Sequence, residues 1–265
     1  MTKENALTVI NTTLQSARSQ FEVALPNRAD VGRFIRVALT EIRKNPDLLK
    51  CDPNSLAGSV LQAAQVGLEV GGIFGHAYLV PYKSECQLQV GYRGFIELAR
   101  RSGQIVSISA RVVREGDHFD YEYGLQEKLI HRPGISSQSK LTHVYAVARM
   151  KDGGHQFEVM TYDQVEHVRK SSPGGNRGPW RDHFEEMAKK TVIRRLFKYL
   201  PVSAEAQAAV TLDELADAGV SQKNDKVLEG EVIPAQSKSA IDAINDEAVG
   251  GEAVSEGEDQ EERVV

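Results

Sequence analysis

The sequence predicts an α+β fold: central antiparallel strands and hairpins flanked by helices, with a disordered acidic C-terminal tail. Three observations predict it. Apolar residues recur at helical spacing toward both ends of the body, while the middle alternates apolar and polar with period two. The strand-like segments come in neighbouring pairs joined by short turns, which favours antiparallel pairing over crossover connections. The charge is split: residues 1–200 carry 28 Lys+Arg against 21 Asp+Glu, a net of +7, and residues 201–265 carry 4 against 16, a net of -12.

The elements follow in order. Asp30 caps a helix to about Asn45 with Val31, Phe34, Ile35, Ala38 and Ile42 on one face, and Pro46 stops it. Asp52-Pro53 opens a second helix, with proline in the first turn where no N–H is needed, and Gly67 closes it. His76–Tyr82 and Cys86–Gly91 read as a hairpin around Lys83-Ser84-Glu85, since Cys86, Leu88 and Val90 alternate with Gln87 and Gln89. A short helix spans Gly94 to Ser102. Val106, Ile108, Ala110 and Val112 alternate with Ser107, Ser109 and Arg111 on the next strand, and a Glu115-Gly116-Asp117 turn leads to Phe119, Tyr121 and Tyr123. Thr142–Met150 and His155–Met160 form a hairpin around Asp152-Gly153-Gly154. Thr161 and Gln164 make a capping box for a helix to about Ser171. A Gly/Pro loop follows, then a strong helix from Pro179 to Leu200.

These boundaries divide the chain into an N-terminal segment (1–29), a core (30–203) and an acidic, largely disordered tail (204–265). A short helix is expected at 204–218 and disorder from about 221. The tail has no aromatic residue and too little apolar surface to offset its ordering entropy. With 41% hydrophobic residues and a mean hydropathy of -0.36, the chain has a core but no bilayer-length apolar run. No secretory signal is visible at the N-terminus, and Cys51 and Cys86 make neither a disulfide framework nor a CxxC motif, so a reducing cytoplasm is expected.

Several chemistries lack their signatures. There is no G-x-x-x-x-G-K-[ST] phosphate loop, no H-E-x-x-H and no G-x-S-x-G elbow, so an enzyme, a bound nucleotide and a metal are not expected. The positive signal is basic. Lys190, Arg194 and Lys198 fall at i, i+4 and i+8 of the last helix, with Lys189 and Arg195 beside them. Glu185 and Glu186 are within reach of only one or two of these charges, which makes the stripe as a set a candidate phosphate-binding face. Arg93, flanked by glycine at a helix start, is a further candidate. Arg177 and Trp180 flank the Gly-rich loop, where Trp180 either stacks on a base or fills the core. Arg111 and Arg114 face opposite ways on one strand unless a bulge intervenes.

A run of motifs resembles the RecT family of single-strand annealing proteins of phages and prophages. It comprises Gln65-Val66-Gly67-Leu68-Glu69, Gly75-His76-Ala77-Tyr78-Leu79-Val80-Pro81, Val90-Gly91-Tyr92-Arg93-Gly94 and Ala110-Arg111-Val112-Val113-Arg114-Glu115-Gly116-Asp117. It continues through Leu129-Ile130-His131-Arg132-Pro133-Gly134, Gly178-Pro179-Trp180 and Glu186-Met187-Ala188-Lys189-Lys190-Thr191, and ends on Arg194-Arg195-Leu196-Phe197-Lys198-Tyr199-Leu200-Pro201. The resemblance covers about residues 28–205. It implies an ATP-independent protein that binds single-stranded DNA and pairs it with a complementary strand in homologous recombination. It also implies rings or helical filaments and a partner 5′→3′ exonuclease; the acidic tail is expected to dock such a partner or a host single-strand binding protein. On this resemblance Lys190 ranks first as a DNA contact, then Arg194 and Lys198.

Three other readings compete, one of them a purely structural adaptor whose acidic tail is the working part. Gly175-Asn176-Arg177-Gly178 lies between helices as the GXXG clamp of a KH-like RNA binder does, and Asp117, Asp120 and Glu122 are the acids a metal-dependent nuclease would use.

Overall fold

The computed structural model describes residues 3–26, 29–135 and 138–228. The described residues all belong to one unit with a shared apolar core. Four helices lead: α1 (Lys3–Ser16), α2 (Arg18–Ala24), α3 (Val31–Lys44) and α4 (Pro53–Gln65), with a 3₁₀ turn, Pro46–Lys50, before the last. The Asp30 carboxylate accepts from the Arg33 N–H at 3.0 Å, and Asp52 accepts from the N–H groups of Asn54 and Ser55, so both expected caps form. The N-terminal segment is part of this body, because Ile10, Leu14 and Phe21 are buried in the same core as Phe34 and Val60.

A hairpin of β1 (Ala77–Tyr82) and β2 (Glu85–Val90) follows, then α5 (Tyr92–Arg101). The main sheet has the order β3-β6-β7, from β3 (Ile105–Arg114), β6 (Leu141–Met150) and β7 (His155–Thr161), all antiparallel. Between β3 and β6 lies a separate ribbon of β4 (His118–Glu122) and β5 (Lys128–Arg132). The Thr161–Gln164 capping box opens α6 (Tyr162–Ser171). The expected single helix from Pro179 is two, α7 (Pro179–Asp182) and α8 (Phe184–Phe197). His183 at φ -141°, ψ 49° is not helical and breaks the run.

Period-two alternation gives the sheet two unlike faces. Ile108, Ala110, Val112, Val144, Ala146, Ala148 and Met160 face the main core, where α8 packs. The outer face carries Ser107, Ser109, Arg111 and Val113 opposite Arg149, Val147, Tyr145 and His143. The β4–β5 ribbon covers one end of that face, where Phe119, Tyr121 and Leu129 pack on Val113, Tyr145, Phe157 and Val159.

The body does not end at residue 203. Helix α9 (Ala204–Ala218) forms where expected, but it buries Ala206, Ala209, Val210, Leu212 and Ala216 in the core. The next ten residues, including the short α10 (Asn224–Val227), run along the free edge of β2. There, side chains stand in for a neighbouring strand. Gln222 accepts from Leu88 N–H and donates to Leu88 C=O, both at 2.8 Å. Asn224 Nδ2 donates to Cys86 C=O at 2.7 Å, and Asp213 Oδ1 accepts from Val90 N–H at 3.0 Å. A Cβ at Gly58 on α4 would lie 1.7 Å from the Asn224 carbonyl oxygen, so only glycine admits this strap. The disorder expected from about 221 is therefore overturned for residues 221–228. For 229–265 the same expectation lies outside the described residues. Composition misled because the strap works by polar tertiary pairing, which a short, polar, aromatic-free stretch does not advertise.

Cys51 and Cys86 are both free and buried. Burial pushes their thiols up, to about 11 and about 12, so they behave as core atoms rather than nucleophiles. No helix among the described residues is long and apolar enough to cross a membrane.

Candidate nucleic-acid interface

Helix α8 lies between the inner face of the sheet on one side and α5 and α9 on the other, so it is buried on nearly every side. That placement decides what its cations do. Lys190, the first-ranked candidate, and Arg194 have side chains only 9% exposed. Lys190 Nζ donates to Asp213 Oδ1 at 2.7 Å, and Arg194 donates to Asp213 Oδ2 at 2.8 Å and to Asp217. Both acids come from α9, at i and i+4, in register with Lys190 and Arg194 on α8. Burial alone would lower the Arg194 pKa, but Asp217 and Asp213 outweigh it and hold the guanidinium above its ordinary value. By the same balance burial favours the neutral form of Asp217, yet Arg194 and Lys190 keep its carboxyl below the usual range. This is a closed, buried network of two cations and two anions.

The other candidates are exposed to different degrees. Lys198 pairs with Glu214 of α9 at 2.7 Å, Arg195 with Glu158 of β7 at 2.6 Å, and Lys189 with Glu186 one turn before it at 2.7 Å. Every cation of the expected stripe thus has a carboxylate, where the sequence offered one for only one or two. The missing partners come from α9 and β7, whose approach the local sequence does not show. Pairs as open as those of Arg195 and Lys198 are weak in water and can exchange their carboxylate for a phosphate. Tyr199, 64% exposed, stands beside Lys198. Arg93 is exposed over the Tyr92 ring, 5.9 Å from its centroid, and Arg177 is exposed on the loop before α7.

Trp180 is 4% exposed and tilted against Phe184, so the core reading of this residue holds and it offers no stacking surface. The Gly175–Gly178 loop is tied down at its start, where Arg169 donates to Gly175 C=O and to the Asn176 side chain, both at 2.6 Å, and Gly175 is buried, while Asn176, Arg177 and Gly178 are exposed. The three hairpin acids do not converge. Asp117 accepts from the N–H groups of Gly134 and Arg114 and contacts His131 at 3.0 Å, while Asp120 and Glu122 point to solvent. No cluster of three metal-ligating side chains occurs among the described residues.

The bulge needed to bring Arg111 and Arg114 together is present, as the β3–β6 register slips between Val113 and Arg114. Both arginines line one recess with Lys189. Arg114 is held by Glu185 and by Ser139 C=O, whereas Arg111 is exposed.

Comparison with known proteins places residues 32–228 in register with the model of the RecT family. The chain is 56% identical over 224 residues to Protein RecT of Escherichia coli (strain K12), covering 82% of this chain and 83% of that protein. It is 31% identical over 196 residues to the uncharacterized protein YqaK of Bacillus subtilis (strain 168), covering 74% and 68%.

Proposed function

Because the chain belongs to the RecT family, we propose that it binds single-stranded DNA and anneals it to a complementary strand, promoting recombination without ATP and as a ring or filament of identical subunits. The observation that carries this reading is that the family match runs to Leu228, the last described residue, and so takes in the strap and α9 as well as the sheet. The chemistry of the surface supports it. Arg195 and Lys198 are exposed cations at α8 and Lys189 is a half-buried one, and the exposed Arg93 and Arg177 are further contacts. Lysine and arginine on phosphates bind any sequence equally, which annealing requires. They also screen the repulsion between two polyanionic strands. Only 6% of residues are aromatic, and Trp180 is buried, so strong base stacking does not compete with Watson–Crick pairing. Duplex formation is itself downhill by about 1.4 kcal/mol per base-pair step, so no hydrolysis is needed to drive it.

The strands this reading calls for are those exposed by a 5′→3′ exonuclease and held by a host single-strand binding protein, in the cytoplasm. The test mixes two complementary fluorescent oligonucleotides with the full chain, with and without ATP. Equal acceleration of pairing in both is expected. A strict ATP requirement, or no acceleration over buffer, contradicts the proposal.

A further inference from the structure

The outer face of the β3–β6–β7 sheet forms an open groove of about 800 Å³. Its walls carry Arg111 and Arg149, both exposed, with Ser107, Ser109 and His155, over a floor that includes Phe157. No carboxylate lies among the described residues that line it, and neither arginine has an ion-pair partner there. That sets these two cations apart from the α8 set, each of which has an acid. The strands fix their spacing. Arg149 sits opposite Ser107, four positions from Arg111, or roughly 13 Å at ~3.3 Å per residue. A stacked strand advancing ~3.4 Å per nucleotide passes about four phosphates in that distance.

The groove is also continuous with the α8 surface. Arg111 and His131 line both the groove and the recess at the edge of β3 that holds Lys189. The one acid among the described residues lining that recess, Asp117, is held by two backbone N–H groups and His131.

We infer that the outer sheet face is a binding track for the phosphodiester backbone of a DNA strand, in which Arg111 and Arg149 hold phosphates and Ser107 and Ser109 donate to phosphate or sugar oxygens. The track leads from Lys189 over the edge of β3. It rests on the reading of this chain as a single-strand binder and places on the sheet a length of strand that α8 does not reach. Unpaired arginines on rigid strands hold a phosphate at no cost of breaking an internal ion pair, unlike Lys198 or Arg195.

The test is the salt dependence of binding to a labelled oligothymidylate, measured by anisotropy with the full chain. The Arg111→Ala/Arg149→Ala double variant should bind more weakly, with a plot of log K against log salt flatter by about 1.4, two contacts at ~0.7 each. Its melting temperature should be that of the wild type. Arg111→Lys/Arg149→Lys, which keeps the charges, should restore most of the slope, and Ser109→Glu, which puts an acid into the groove, should weaken binding without unfolding the chain. A double variant with the wild-type slope overturns the inference, as does one whose defect is lost self-association in sedimentation, which would make this face a contact between copies. A wild type with no affinity for the oligonucleotide at any salt concentration removes the functional reading itself, a result distinct from an unaltered slope.

Discussion

The cations that α8 turns toward α9 and the cations of the outer sheet face are all basic side chains, and their neighbours give them opposite work. Lys190 and Arg194 meet Asp213 and Asp217 in a buried seam, where each charge satisfies another and none is left for a ligand. Arg111 and Arg149 line an open groove with Ser107, Ser109 and His155. In the seam, desolvation makes an unpaired charge so costly that the network becomes part of the fold. On the open face, the lack of an internal partner costs little and leaves the charge available. Position on a charged stripe therefore says less about function than the carboxylate count around it.

The sharpest way to break the comparison is to shorten the chain. Ending it at Gly219 removes Gln222 and Asn224 and leaves Leu88 N–H and Leu88 C=O without these partners, while Cys86 C=O keeps Ser59 Oγ at 2.7 Å. Each buried group left unpaired costs about 1–3 kcal/mol, so this truncation should be strongly destabilised in a denaturant titration. A chain ending at Leu228 keeps all of these contacts and should unfold at the wild-type midpoint. Equal midpoints for both would show that the strap is dispensable.

Asp213→Ala should come next. It strips Lys190, Arg194 and the Val90 N–H of a shared acceptor and should cost about 3–5 kcal/mol, the usual penalty for opening a buried pair. Urea unfolding reads this directly, and a loss under about 1 kcal/mol would mean the seam is solvated.

A smaller effect is expected in acid. The Gly134 N–H, the Arg114 N–H and His131 hold the Asp117 carboxyl down to about 2. A folded pKa below the unfolded value of about 3.9 gives stability that is present above pH ~4 and is lost as the pH falls toward about 2. Asp117→Asn should flatten the stability curve across that window, and an unchanged acid limb would remove Asp117 as an anchor of the recess. Smallest is Lys198→Ala, which should change stability by under about 1 kcal/mol because its pair with Glu214 is partly exposed.

Much of this was legible in the residues. Asp30, Asp52 and the Thr161–Gln164 box announce helix starts because capping is local, and Ser107, Ser109 and Arg111 announce an outward row because strand period is local. The ribbon strand β5 escaped because Leu129, Ile130 and His131 lack alternation, and their strand character comes from pairing with Phe119 and Asp120. The strap escaped for a related reason: Gln222 and Asn224 act as strand backbone only because β2 has a free edge beside them. The α8 stripe was the instructive case. Its spacing was right, but the Glu185 and Glu186 visible nearby were not the acids that matter, since Asp213 and Asp217 arrive from the next helix. Arg149 was hidden in the other direction. Nothing local reveals that no carboxylate among the described residues lines the groove.

The most direct measurement sets Lys190→Ala beside Arg149→Ala and records, for each, the melting temperature and the salt slope of oligothymidylate binding. Opening the seam should lower the melting temperature of Lys190→Ala and leave its slope at the wild-type value. Arg149→Ala should keep the melting temperature and flatten the slope by about 0.7. The reverse pattern, a stable Lys190→Ala with a flattened slope and an Arg149→Ala with an unaltered one, would contradict the division of the two regions.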